Sequence, residues 1–423
     1  MDFSKLQFYG KMKFMKVWIK YLIGVVIGLA CALILPVDNP SVSGAISFIL
    51  DIFIRFGRYI VVPMIFFSGV IAVNRLRSSK LILKTSLWTG LIIVASSLIL
   101  TLAGVLSIVI VKLPRIPITV DQVTDTYTLG IGNMIRSLFP ASAFEAVLEG
   151  SFLLVPFLLA FLVGWESSVD ETVFRPVLTL MDSLSKLVYG ISVFFTEVMS
   201  VGMIAIMCNW TITFRSVWTT GIYTPMFIMF IVDFVLIVGI IYPVILYYVC
   251  HDPHPYRILF ASLTSLFTSF FSGDTNLTLP LNIRHGKESL GIRRRVSGFT
   301  YPLFSIFARG GSALVVVISF IVIWRSYSSL AISFKDVLWI SGSAFGLSFL
   351  LGGLPSGSSF VLLAILCTTY SKGFETSFLL LKPAAPIICS FAALFDAATA
   401  MFGSYIVAVK TKMIEHHNLA HFI

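Results

Sequence analysis

Long apolar runs dominate this sequence, and they restrict the chain to folds that lie within a lipid bilayer. Of its 423 residues, 57% are hydrophobic and 12% are charged, and the mean hydropathy is +0.97. Soluble domains carry about 25% charged residues, whereas runs of about 20 apolar residues cross a membrane as helices. The first run lacks a small-residue cleavage site and is expected to remain as a spanning helix. The sequence therefore predicts an all-α polytopic membrane protein.

The apolar runs divide into eight continuous segments and two interrupted ones. The continuous segments are predicted to span the membrane near residues 15–35, 45–74, 81–112, 150–165, 183–209, 219–250, 297–325 and 378–409. The interrupted segments, 255–283 and 336–370, contain the polar stretches FFSGDTNLTLP and LGGLPSGSSF. Such stretches would leave unpaired backbone groups in lipid, so they are tolerated only inside protein or beside a watery cavity. We therefore expect eight spanning helices and two re-entrant helical hairpins.

Lysine and arginine residues set the expected orientation, because cytoplasmic loops are rich in them. The N-terminal segment 1–20, the loops 74–84 and 282–298, and the end at Lys410 and Lys412 are basic. A single topology in the cell membrane places all of them, and both termini, in the cytoplasm. In that topology the two halves of residues 219–409 form inverted repeats, which are typical of secondary transporters.

Several other functional classes are not indicated. The formal net charge of +10 is explained by the basic loops and does not predict nucleic-acid binding. The five cysteines are scattered through apolar segments without metal-ligand spacing, so no metal, cofactor or disulfide framework is expected. The sequence shows no HExxH motif, Ser/His pair or helically spaced aspartate pair, and an enzyme is not expected.

Six motifs, in order along the chain, resemble one transporter family. They are IRFGRYIVVPMIFFSGVIAV (54–73), LFPASAFEAVLEGSFLLVPFLLAFLVG (138–164), TLPLNI (278–283), PLFSIFARGGSAL (302–314), GGLPSGSSFVLLAIL (352–366) and GSYIVAVKTK (403–412). The sequence resembles the dicarboxylate/amino acid:cation symporter family, the glutamate transporter homologues. The resemblance implies a homotrimer in the lipid bilayer, with a static scaffold and a transport domain that moves like an elevator. The second hairpin would act as the external gate.

The same resemblance implies domain boundaries. Residues 1–80 correspond to scaffold helices 1 and 2, and 81–112 to a third helix in the transport domain. Residues 113–182 correspond to a loop and the scaffold's fourth-helix region, and 183–218 to the fifth scaffold helix. Residues 219–423 correspond to the core of the transport domain, with the sixth helix, both hairpins, and the seventh and eighth helices.

The hairpin tips are expected to contact the solute. The family's first tip has a serine triplet, which is replaced here by Asp274, Thr275 and Asn276. Asp274 is interpreted either as a group that binds an ammonium or a proton, or as a cap of the returning half-helix. The second tip contributes the expected substrate-binding positions Pro355, Ser356, Gly357 and Ser358.

The seventh helix departs furthest from the family. The family's asparagine-methionine-aspartate-glycine-threonine motif is replaced by Ala308, Arg309, Gly310, Gly311 and Ser312. The resemblance makes Ala308 and Gly310 degraded cation-site positions, because the family's sodium-binding asparagine and aspartate are missing. Gly310 and Gly311 are expected to permit the helix break. Ser312 and Arg309 are expected to contact substrate.

The eighth helix changes in a matching way. When Gly403 is aligned with the family's glycine, Cys389 takes the place of the aspartate that binds the substrate amine. Ala392 replaces the arginine that binds an acidic side chain, and Asp396 replaces an asparagine that binds the α-carboxylate. Ala400 replaces a sodium-binding aspartate, so it is a third degraded cation-site position.

A charged residue at mid-membrane costs at least about 2.5–3.5 kcal/mol, so Arg309 needs a partner. We expect Arg309 to pair with Asp396, with Asp274 or with both, and to replace a bound cation electrostatically. The expected function is secondary transport of a small amino acid or carboxylate without sodium at the usual positions. Proton coupling, exchange and facilitated diffusion stay open. The alternative is a receptor, sensor or anion-conducting relative with the same fold.

Overall fold

A computed structural model describes residues 16–36, 39–117, 131–139, 142, 153–328, 332–354, 357–419 and 422–423. Within these residues the regular elements are helices, and extended backbone pairs only in one antiparallel bridge between Ile292 and Ile414. Seven of the helical segments are long and apolar enough to cross a membrane. The predicted all-α polytopic class is therefore confirmed.

The first part of the chain contains six helices. They are α1 (Val17–Ile34), α2 (Pro40–Ser78), α3 (Ile82–Ile110), α4 (Ile131–Leu138), α5 (Leu154–Glu166) and α6 (Glu171–Trp218). The start of α2 follows from Asn39, whose side chain accepts a hydrogen bond from the backbone N–H of Ser41, and from a proline at the first helical position. Asp170 caps α6 in the same way, through the N–H groups of Thr172 and Val173.

The second part begins with α7 (Thr224–Leu236), which continues through a π-helical turn (Ile237–Ile241) into α8 (Tyr242–Cys250). The remaining α-helices are α9 (Tyr256–Ser272), α10 (Leu279–Glu288), α11 (Arg294–Phe307), α12 (Gly310–Tyr327), α13 (Phe334–Ser348), α14 (Ser358–Tyr370) and α15 (Ala385–Lys410). Two 3-10 segments, Leu351–Gly353 and Ser377–Ala384, lie before α14 and α15.

One predicted span is shorter than expected. The sequence predicts a spanning helix over 150–165, whereas α5 has 13 residues. A helix of this length rises about 20 Å, which is less than the roughly 30 Å of the hydrocarbon core. The described helices therefore include seven of membrane length rather than the eight expected.

The first interrupted segment contains two helices separated by a non-helical tip, and the second contains α13 and α14. Residues 273–278 separate α9 from α10, and Gly273 adopts φ +64°, a left-handed conformation that favours glycine. Gly357 is also left-handed, with φ +71°, but it precedes the first turn of α14, whereas Gly273 follows the last turn of α9. The depth to which each helix pair enters the membrane stays a prediction.

Helix α3 shows the sidedness expected of a chain surrounded by lipid. Its buried face carries Ser96, Ser97 and Thr101, whereas its exposed face carries large apolar side chains, among them Leu83, Leu87, Leu91, Leu98 and Leu102. An exposed apolar face of this length is unfavourable in water and favourable in hydrocarbon. In contrast, α12 is buried from Gly310 to Trp324 and forms the centre of the bundle.

Helix α1 packs closely on α6 through two glycines spaced four residues apart. A Cβ atom at Gly24 would lie 2.5 Å from the backbone oxygen of Ser200, and one at Gly28 would lie 2.5 Å from that of Ile204. Small residues at this spacing let the backbones of two membrane helices approach each other. The position of α1 therefore depends on the absence of side chains at Gly24 and Gly28.

We predict that Gly28→Ala destabilises the protein by about 1–3 kcal/mol, because the added methyl group must push α1 away from α6. The measurement is the thermal unfolding midpoint of the purified protein in detergent. Gly90→Ala in α3 is the matched control, since a Cβ there meets no atom within 4 Å. Equal midpoints for the two variants would contradict this account of the α1–α6 contact.

Candidate functional site

A break between α11 and α12 carries the central residue of the candidate site. Helix α11 ends at Phe307 and α12 begins at Gly310, so Ala308 and Arg309 form the break. Arg309 has φ −102° and ψ 29°, and its side chain is 3% exposed. The break thus holds a cationic side chain within the most buried helical segment of the bundle.

The Arg309 guanidinium contacts two other segments of the chain. Its Nη1 donates a hydrogen bond to the hydroxyl of Thr275, and its Nη2 donates to Oδ1 of Asn276 at 3.2 Å. The same Nη1 lies 3.9 Å from Oδ2 of Asp396 in α15. The first tip, the helix break and α15 therefore meet at this guanidinium group.

Asp396 also holds the first turn of α12. Its Oδ1 accepts hydrogen bonds from the backbone N–H groups of Gly311 (2.8 Å) and Ser312 (3.4 Å). Its Oδ2 accepts from the Ser312 hydroxyl at 2.9 Å. A carboxylate at this position satisfies free N–H groups and faces the positive end of the helix dipole. Ser359 of α14 donates to the Ser312 hydroxyl at 3.1 Å, which adds the second interrupted segment to the cluster.

Asp274 has a different cationic partner. Its Oδ2 lies 3.8 Å from Nη2 of Arg58 in α2. Its Oδ1 accepts the backbone N–H of Asn276 at 2.8 Å, which is a turn contact within the tip. The residue that precedes α10 is Thr278, so Asp274 does not cap the returning helix. Of the two carboxylates considered as partners for Arg309, Asp396 forms the ion pair, and Asp274 pairs with α2.

The expected role of the glycine pair was wrong. The break precedes Gly310 and Gly311, and both lie within α12 at ordinary negative φ. Their small size is needed instead for close packing. A Cβ at Gly310 would lie 2.5 Å from Cα of Ser97, and one at Gly311 would lie 2.3 Å from Cβ of Phe395. Gly311 therefore allows α15 to approach α12 closely enough for Asp396 to reach the helix N-terminus.

The gap beside Arg309 is too small to admit a water molecule. It is bounded by Thr278, Asn282 and Ser305, and by Ala400 on α15. Ala308 is fully buried within the break. The positions Ala308, Gly310 and Ala400 contribute no side-chain oxygen here, and the charged side chains that line the gap are Arg309 and Asp396.

A larger cavity of about 450 Å³ lies between α6, the two tips and the start of α15. Cys389 and Gly357 line it, together with Trp210, whose Nε1 donates to the Ser390 hydroxyl at 3.1 Å. Its described lining carries no charged side chain. Ser358 is buried at the first turn of α14, and Pro355 and Ser356 lie outside the described residues.

Sequence reasoning missed several residues of this region. Ser359 directly follows the predicted tip positions, so its place in the motif was a usable signal. Arg58 lies in the motif 54–73, and nothing in its sequence neighbourhood indicates Asp274 as its partner. Trp210 directly follows the predicted spanning helix 183–209, and its sequence carries no signal that it would contact α15.

A second polar cluster joins α1, α6 and α10. Glu197 pairs with Lys20 at 2.5 Å and with Arg284 at 2.9 Å, and Arg284 also lies 3.4 Å from Glu288. Asp51 and Arg55 pair on the exposed face of α2 at 2.7 Å. The Glu197 pairs connect α6 to α1 and α10, whereas the Asp51–Arg55 pair lies within α2, and none of these residues contacts Arg309.

The sequence matches the sodium:dicarboxylate symporter family over residues 15–410. The chain belongs to this family. Its members are transporters, and the chain is therefore not assigned to an enzyme class.

Three relatives illustrate the distance within the family. A Caenorhabditis elegans chain named as a sodium-dependent excitatory amino acid transporter, glt-3, is 24% identical over 39% of this chain and 31% of its own length. Neutral amino acid transporter B(0) of Bos taurus is 28% identical over 29% of this chain and 22% of its own. The human protein of that name is 27% identical over 30% of this chain and 24% of its own length. The aligned stretches thus cover less than a third of each relative.

We predict that Arg309→Met destabilises the protein by about 3–5 kcal/mol, because it leaves Asp396 buried without its counter-charge. Adding Asp396→Asn should recover part of this loss, so the two substitutions should be strongly non-additive. The measurement is a double-mutant cycle of thermal unfolding in detergent. Additive effects would contradict the direct pairing of Arg309 with Asp396.

Proposed function

We propose that this chain is a secondary transporter of a small amino acid or carboxylate in which Arg309 replaces the cation of the family's usual sites. The observation that carries the proposal is the buried guanidinium, which contacts both the first tip and the carboxylate of Asp396. A fixed positive charge there would replace the charge of the sodium ion that the resemblance implies at the family's usual sites.

The residues around Arg309 do not suit sodium at the family's positions. A hard cation requires several oxygen ligands, and Ala308, Gly310 and Ala400 provide no side-chain oxygen. The guanidinium also repels a second cation in the same space. We therefore propose transport that is independent of sodium, driven by protons or running as exchange or facilitated diffusion.

The solute is proposed to be a neutral amino acid or another small carboxylate. Cys389 and Ala392 stand where the resemblance places the residues for an amine and an acidic side chain, and neither carries a fixed charge. The cavity beside Cys389 has a volume of about 450 Å³, which is within the range of small-molecule sites. The name of the B(0) relatives, neutral amino acid transporter, agrees with this choice.

The proposed movement follows an elevator mechanism within a homotrimer in the cell membrane, with both termini in the cytoplasm. Arg309, Asp396, Ser312 and Ser359 hold the first tip, α12, α14 and α15 together as one body. Helix α6 packs on both α1 and α2, which supports a group of scaffold helices, and α2 also packs on α11, where this group meets the proposed moving body.

The close packing around Arg309 favours a second candidate, a receptor or sensor that binds a solute without moving it. An anion-conducting relative with the same fold belongs to this class as well. Because the gap beside the guanidinium admits no water molecule, the ion pair has the appearance of a permanent structural contact. Binding without solute flux is the property that separates this candidate from a transporter.

The test is uptake of radiolabelled amino acids and dicarboxylates into proteoliposomes, with sodium, potassium or choline outside and with or without a pH gradient. We predict uptake that is equal in the three cations. Arg309→Met should abolish it, whereas Arg55→Met, which alters an exposed arginine of α2, should leave it within about twofold of wild type, as expected for a surface substitution.

Two outcomes would contradict the proposal in different ways. A sodium requirement in the wild type that survives Arg309→Met unchanged would mean that Arg309 does not replace a cation. Saturable binding of a solute in detergent, without any uptake, would instead establish the receptor candidate.

A further inference from the structure

A cavity of about 780 Å³ opens at one end of the molecule, between α2, α6 and α11. Three arginines from these three helices line it: Arg75, Arg175 and Arg295. Hydroxyl and amide side chains, among them Asn74, Ser79 and Thr172, complete its polar lining, and none of its described lining residues is acidic. The cavity is separate from the Arg309 cluster and shares no lining residue with it.

The positive charge of this cavity is only partly compensated. Arg75 lies 2.9 Å from Asp182, but the same carboxylate lies 2.7 Å from Lys186. Within the part of the chain that the structure describes, the guanidinium groups of Arg175 and Arg295 have neither a hydrogen bond nor an ion pair. The cavity therefore brings three guanidinium groups together, and its described lining supplies no carboxylate to neutralise them.

The donors of the cavity match one chemical class of ligand. Arginine binds phosphate through two parallel N–H groups, and hydroxyl groups add further donors. Helices α6 and α11 both begin at this cavity, and their positive ends add to the charge of its arginines. The volume is also within the usual range of small-molecule sites.

We propose that this cavity binds a phosphate-bearing anion between Arg175 and Arg295. The phosphate group belongs either to a soluble phosphate compound or to the headgroup of an anionic lipid. A lipid headgroup is one of the two sources because α2 ends, and α6 and α11 begin, at this cavity. A bound anion would connect α11 to α2 and α6. The site is independent of the solute and of the coupling ion proposed above.

The test uses the full-length protein in detergent micelles at constant ionic strength. One arm replaces chloride with inorganic phosphate, and the other replaces phosphatidylcholine in the micelles with phosphatidic acid. We expect a saturable rise of the thermal unfolding midpoint in at least one arm. Arg175→Gln and Arg295→Gln should each weaken the apparent affinity about tenfold or more, as expected for the loss of a charged hydrogen-bond donor.

Lys84→Gln is the matched control, because Lys84 is an exposed cation at the start of α3 that does not line the cavity. A rise with phosphatidic acid alone identifies a lipid headgroup, and a rise with inorganic phosphate identifies a soluble ligand. If neither arm raises the midpoint, or if Lys84→Gln weakens the response as much as the arginine variants, the site is refuted. Arg175→Lys, which keeps the charge but loses the planar donor pair, should give an intermediate affinity and provides the comparison if Arg175→Gln folds poorly.

Discussion

A guanidinium group keeps its charge when it leaves water, because its pKa is too high for deprotonation to relieve the cost of burial. The protein therefore has to surround Arg309 with oxygen atoms, and it draws them from segments far apart in the sequence. Thr275 and Asn276 come from the first tip, and Asp396 comes from α15. Once these contacts form, the tip, the helix break and α15 have fixed positions relative to one another.

Asp396 makes this arrangement possible by having two functions at once. It supplies the counter-charge for Arg309, and it satisfies the free N–H groups at the start of α12. Because a buried ion pair gains little net stability after desolvation, its main effect is on geometry. That geometry requires α15 to lie directly against α12, and Gly311 is the residue that permits this contact. Arg309, Asp396 and Gly311 therefore depend on one another: the ion pair forms only if α15 lies against α12, and Gly311 permits that contact.

The sequence predicted the elements of the fold better than the contacts between them. Hydropathy and the polar tips placed the interrupted segments at 255–283 and 336–370, close to the observed helix pairs 256–288 and 334–370. Arg309 was recognised because a charge in an apolar run is costly. The pairing of Asp274 with Arg58, and the packing role of Gly311, were not recognised. They depend on distances between helices that periodicity does not contain, whereas the length and hydropathy of a segment are local properties.

The two groups of arginines in this protein are under different physical constraints. Arg309 is buried, so its charge had to be compensated by the chain itself, and it leaves no demand for an external anion. Arg175 lies at the surface, where water alone stabilises a single cation, so its exposure indicates nothing by itself. What distinguishes the surface group is convergence: Arg75, Arg175 and Arg295 approach one cavity from three helices, while Asp182 already contacts Lys186. Like charges brought together by separate helices repel one another, and a bound anion is the simplest group that would turn this repulsion into attraction between those helices.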